Sequence, residues 1–136
     1  MKKRRLGLLT AAIVFLGGLG FVNAATKSSL LEYKGTKAQT RLETDFRRAL
    51  WGKDYATATT SFITNNNNFK VAVRLERWDD ENTMGDYKYD SDKSLAQVNY
   101  TWSDVYAYIS RHSIDNWSNT VEYAVDTHRD VERIWK

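Results

Sequence analysis

The chain has 136 residues, with 20 Lys and Arg against 17 Asp and Glu, and neither Cys nor Pro. Without cysteine there is no disulfide, no thiolate metal site and no lipid-modified N-terminal Cys, so stability must come from packing and hydrogen bonding. Lys2, Lys3, Arg4 and Arg5 precede every acidic residue; past residue 24 the balance is 16 basic to 17 acidic, which lacks the positive field a nucleic-acid partner requires.

In chain order, the basic cluster leads into an apolar run from Leu6 to Leu16 and then Val22-Asn23-Ala24, with small residues where a signal peptidase reads. This layout predicts an N-terminal signal helix, a signal peptide over residues 1–24, cleavage after Ala24, and a secreted or envelope-associated product. An uncleaved anchor is the rival, since Leu6 to Val22 is just long enough to span a bilayer, but Gly17, Gly18 and Gly20 interrupt it. Residues 25–36 read as a flexible entry segment and residues 37–136 as one β-rich domain.

From Lys37 to Arg47 polar residues alternate with Ala38, Thr40, Leu42, Thr44 and Phe46, the period of a half-buried strand. Ala38, Leu42, Phe46 and Ala49 also share one helical stripe; the Thr content favours strand. Trp51-Gly52-Lys53-Asp54 reads as a turn and Tyr55 to Thr64 as a strand. Asn65 to Asn68 form a second turn, because Asn tolerates the left-handed backbone. Phe69, Val71, Val73 and Leu75 point one way and Lys70, Arg74 and Glu76 the other, so residues 55–78 are expected to form a hairpin around the four Asn. Asp79 to Asp92 reads as a polar, acid-rich loop. Ala96, Val98, Tyr100 and Trp102 share a face. The apolar parity then flips at Ser103-Asp104 to Val105, Ala107 and Ile109, which suggests a bulge. His112 to Ser118 reads as a loop and Thr120 to His128 as a last strand with Val121, Tyr123 and Val125 inward. Val131, Ile134 and Trp135 are candidates to cover the core. The expectation is an all-β fold, a small antiparallel sandwich or open barrel of five to six strands.

No catalytic motif stands out. There is no Gly-Xaa-Ser-Xaa-Gly elbow, no phosphate-cradling Gly loop and no paired-His helix spacing between His112 and His128. The acidic loop offers oxygen ligands of the kind calcium takes. Counted from Asp80, however, Met84 and Ser91 fall where oxygen donors are needed. The reading is therefore a non-enzymatic domain with no metal and no cofactor. If Val105, Ala107 and Ile109 face inward, Tyr106 and Tyr108 face outward, and Trp78 lies on the outward parity of its own strand. Trp78, Tyr106 and Tyr108 are the candidate ligand-binding residues, since rings with a polar tip suit sugars or protein partners. The expected partner is a cell-surface glycan or protein, with no nucleic acid and no membrane span after signal cleavage.

A Cys-free chain with a leader, a Thr/Ala-rich strand running into Asn65–Asn68 and abundant aromatics resembles, in composition, the lactococcin-type bacteriocins. That resemblance implies a small secreted β-sandwich with antibacterial effector activity, the alternative to a binding module. The chain is longer than those proteins and has no double-glycine leader.

Overall fold

The computed structural model describes residues 22–47 and 53–130. These form eight strands: β1 (Val22–Tyr33), β2 (Thr36–Arg47), β3 (Asp54–Thr64), β4 (Lys70–Asp80), β5 (Thr83–Asp92), β6 (Leu95–Trp102), β7 (Ala107–Asp115) and β8 (Thr120–Arg129). They pair antiparallel into two sheets, β1-β2-β3-β6 and β5-β4-β7-β8, referred to below as sheets A and B. The all-β, antiparallel sandwich is as expected, but with eight strands instead of five or six. The signal helix expected within residues 1–24 lies almost wholly outside the described residues, as do Trp51, Gly52, Val131, Ile134 and Trp135. Among the described residues no helix is long and apolar enough to cross a membrane.

Three local expectations are corrected. Residues 25–36, read as a flexible entry, belong to β1 and its turn, and β1 pairs along its whole length with β2. Lys34 and Gly35 both have positive φ, 49° and 85°, the backbone of a tight primed turn whose twist matches the strands it joins. The hairpin around the four Asn is an arch: β3 pairs with β2 and β6, while β4 pairs with β5 and β7, so the chain crosses from one sheet to the other. Asn65 closes that arch by accepting from the Phe69 amide and donating to the Phe69 carbonyl, both at 2.9 Å. Asn67 ties it to the first turn through Thr36 Oγ1 and the Lys34 carbonyl. The third correction is the bulge at Ser103-Asp104, which is an inter-sheet crossing from β6 to β7, the third such crossing after β3 to β4 and β5 to β6. Asp104 takes φ 60° there, and the Val105 amide donates to Asp54 Oδ2 at 2.7 Å.

The core is filled from both sheets: Leu31, Ala38, Leu42, Phe46, Ala56 and Ala58 from sheet A face Val71, Val73, Leu75, Tyr108 and Ile114 from sheet B. Ala96, Val98 and Tyr100 of β6 are buried as their alternation predicts, while Trp102 at the strand end is half exposed. Toward β1 and β8 the interior turns polar. Ser29 and Thr40 hydroxyls lie 2.9 Å apart, and Thr44 bonds His128. His112 is held between Thr60 Oγ1 and Ser110 Oγ, each at 2.8 Å. This polar layer reverses the apolar parity of the last two strands. The inward set of β7 is Tyr108, Ser110, His112 and Ile114. In β8, residues opposite that set share its face, so Ala124, Asp126 and His128 turn inward. Tyr123 and Val125, expected inside, are exposed.

Tyr108 stacks between Phe46 and Tyr100, with ring centroids 5.7 and 6.5 Å away. Its hydroxyl is buried with no hydrogen-bond partner among the described residues. Removing an unpaired buried hydroxyl relieves a desolvation cost, so Tyr108→Phe is expected to raise stability by about 1 kcal/mol. Guanidinium unfolding midpoints of the two proteins check this, and a less stable Phe variant would contradict it.

Candidate functional site

The three residues singled out by sequence part company. Tyr108 is fully buried in the core and cannot meet a ligand; Ser110 and His112, polar yet interior, masked the true parity of its strand. Tyr106 is half-buried ahead of β7, with its amide donating to the Trp78 carbonyl at 2.9 Å. Trp78 lies on the outer face of sheet B as expected, but it is half-buried and its indole N–H is committed to Glu76 Oε1 at 2.9 Å.

The outer face of sheet B carries a better site, and strand register shows how it is built. Directly opposed residues share a face, so side chains line up in rows across the four strands. One row runs Ser91, Ala72, Ser113, Tyr123; the next runs Tyr89, Arg74, Arg111, Val125; the third runs Tyr87, Glu76, Ile109, Thr127. Ala72 and Ser113 are small, and the large residues around them stand proud. The result is an open groove of about 490 Å³ whose floor includes Ala72 and Ser113 and whose walls include Arg74, Arg111, Tyr87, Tyr89 and Tyr123. Tyr87, Tyr89 and Tyr123 are 46, 57 and 61% exposed, too open to be core residues.

Arg74 and Arg111 are direct cross-strand neighbours, an arrangement that like charges ordinarily disfavour. Glu76 relieves it. Its carboxylate, 2% exposed, takes Arg111 Nε at 2.8 Å and Arg111 Nη2 at 3.4 Å. Arg74 Nε lies 2.9 Å from the same carboxylate. Burial pushes the Glu76 carboxyl up, but the bonds from Arg111 and Trp78 and the two guanidinium charges outweigh it and keep it below the ordinary carboxylate range. Arg74 also stacks on the Tyr87 ring, 3.9 Å from its centroid. Two guanidiniums are therefore held around one carboxylate and both line the groove; Arg74 Nη2 also lies 3.7 Å from Met84 Sδ.

Sequence reading missed Tyr87 and Tyr89 because the acids around them suggested a loop. Residues 79–92 instead end β4 and form β5, and the alternation Tyr87-Lys88-Tyr89-Asp90 was the available signal. The acids serve the backbone: Asp80 accepts from the Asn82 amide, Asp92 from Ser94 and Leu95, and Asp90 from the Gln97 amide. Among the described residues no three His, Asp or Glu gather to hold a metal ion.

Inside the sandwich, Ser110, His112 and Asp126 meet, but not as a hydrolytic triad. His112 Nδ1 pairs with the Thr60 hydroxyl, which also reaches the Ala72 carbonyl, and Nε2 pairs with Ser110 Oγ. Asp126 Oδ2 sits 3.6 Å from that same Nε2, whereas a triad needs its acid on the opposite nitrogen. Ser110 and His112 are also sealed from solvent.

Comparison with known proteins finds no matching family model, no matching curated protein and no matching solved structure. The groove's own chemistry carries the functional argument.

Proposed function

We propose that this chain is an exported, non-enzymatic β-sandwich that binds a cell-surface target, a glycan or a protein, through the outer face of sheet B. The leader motif supports export. The observation that carries the binding reading is the groove: three exposed tyrosines around a guanidinium pair that Glu76 and Trp78 hold in position. Exposed rings and preset cations add little to folding, yet they are the side chains that anchor interfaces.

Retention of the protein on purified cell wall tests the reading. The double variant Tyr89→Ser with Tyr123→Ser is expected to lose binding by about tenfold or more, since exposed aromatic anchors can be worth about 2 kcal/mol or more each. Its thermal midpoint should barely move, because surface substitutions usually change stability by no more than about 0.5 kcal/mol. Full retention by the double variant would remove this face from consideration. Growth arrest of neighbouring cells by both proteins alike would favour the antibacterial alternative.

A further inference from the structure

We propose that the ligand of the sheet B groove is a carboxylate-bearing glycan, its acid group received by the facing guanidiniums of Arg74 and Arg111 and its rings stacked on Tyr89 and Tyr123. The inference rests on the binding reading above and names the ligand class for that same site.

Charge comes first. The register places Lys70, Arg74, Arg111 and Arg129 on this face against Glu76, Asp80 and Asp115. All three acids are already engaged: Glu76 by the two guanidiniums and Trp78, Asp80 by the Asn82 amide, and Asp115 by Thr120 Oγ1. Residues 25–136 carry a small net negative charge, so this face is positive on a protein that is not. At the groove itself two guanidiniums confront one carboxylate, an excess of a single charge. A singly charged planar acid balances it.

Donor and acceptor inventory comes second. Arginine offers only donors, so a ligand here must bring acceptors, and guanidinium is best matched by carboxylate in a forked contact. Glu76 already makes that contact with Arg111 Nε and Nη2, which leaves the Nη1 hydrogens for a second acid.

The backbone favours sugar over peptide. β4 and β7 beneath the groove are each paired on both sides, β4 with β5 and β7, and β7 with β4 and β8. Their amides and carbonyls are consumed, so a peptide strand cannot dock by extending the sheet here. What remains are ring faces, hydroxyls and guanidinium N–H groups, which meet the C–H faces, hydroxyls and acid of a sugar. Tyr87 is already covered by Arg74; Tyr89 and Tyr123 are the rings left to stack. A groove of about 490 Å³ lies within the roughly 300–1,000 Å³ typical of small-ligand sites.

The test is an array of oligosaccharides ending in hexuronate, muramate or sialate, each beside its counterpart with the carboxyl reduced to a primary alcohol, plus a polyol phosphate chain. The protein is expected to bind at least one acidic sugar and to bind its reduced counterpart about tenfold or more weakly, as loss of a charge-assisted pair implies. Arg111→Gln should bring that ratio close to one, and Tyr123→Ser should weaken both forms. At about 1 M salt, where the screening length falls to ~3 Å, only binding of the acidic sugar should drop. Equal binding of acidic and reduced sugars, or preference for the polyol phosphate, overturns the carboxylate assignment while the binding module stands. Retention on cell wall through the same tyrosines with no sugar bound overturns the glycan. Loss of both cell-wall retention and sugar binding removes the underlying reading as well. The wild-type comparison of acid and reduced sugar needs no variant, so a misfolded Arg111→Gln does not blunt it.

Discussion

Val73→Asp is expected to abolish cooperative folding. Val73 is fully buried at the centre of β4, with His112 of β7 on one side and Asp90 of β5 on the other. Ala56 and Ala58 of the shared core offer no donor to a carboxylate, and both ring nitrogens of the neighbouring His112 are already bonded, to Thr60 and Ser110. An uncompensated buried charge costs several kcal/mol or forces a costly protonation, against a total stability of roughly 5–15 kcal/mol for a domain of this kind. Circular dichroism and thermal melts of purified Val73→Asp check it: the strand signal should be lost or its melt should broaden and fall steeply. A soluble variant melting cooperatively near the wild-type midpoint would contradict the inward placement of Val73, and with it the facing of β4 that puts Arg74 and Glu76 in the groove.

Much of this fold was legible where a strand buries an apolar face against a polar one. Val71, Val73 and Leu75 point inward as the alternation predicts, and so do Ala96, Val98 and Tyr100. Alternation reports which residues share a face but says nothing about which strand lies alongside, so the Asn65–Asn68 segment looked like a hairpin. Either a hairpin or an arch would present Val71 and Ala58 to the same core. The two last strands failed for a different reason. Ser110, His112, Asp126 and His128 are inward because they bond one another and Thr40, Thr44 and Thr60. A polar residue satisfied in this way reverses the inside-out rule, and that error carried Tyr108 to the surface and Tyr123 to the core. The site suffered directly. Arg74 was visible on the outward parity of β4, but Arg111 required the correct parity of β7, and Tyr87 and Tyr89 required reading an acid-rich stretch as a strand.

The same buried polar layer leads to an expected collapse of stability in mild acid. Burial pushes His112 down to about 3 and His128 down to about 4, with the nearby Lys27 charge adding to the second. Both folded values lie below the unfolded value of about 6.5, so above that pH the two imidazoles are neutral in both states and cost nothing. As pH falls below about 6.5 the unfolded chain takes up protons that the folded chain refuses, and stability declines toward the folded values. For His112, which has no solvent exposure, the slope is about 1.4 kcal/mol per pH unit, or roughly 3 kcal/mol lost by about pH 4.5. His128 adds in the same direction, by less because it is partly exposed and screened. Asp126 acts oppositely: burial pushes its carboxyl up against the pull of Lys27 and Thr40, so its protonation returns some stability at the acid end. Guanidinium unfolding at pH 7.5, 5.5 and 4.5 measures the slope, with midpoints expected to fall at each step. Gln in place of His112 can still pair with Thr60 and Ser110 but cannot titrate, so His112→Gln should be less stable near neutrality and lose far less on acidification. Midpoints that stay level from neutrality to about pH 4.5 would mean that neither imidazole is buried as described, and an unchanged slope in His112→Gln would move the effect to His128.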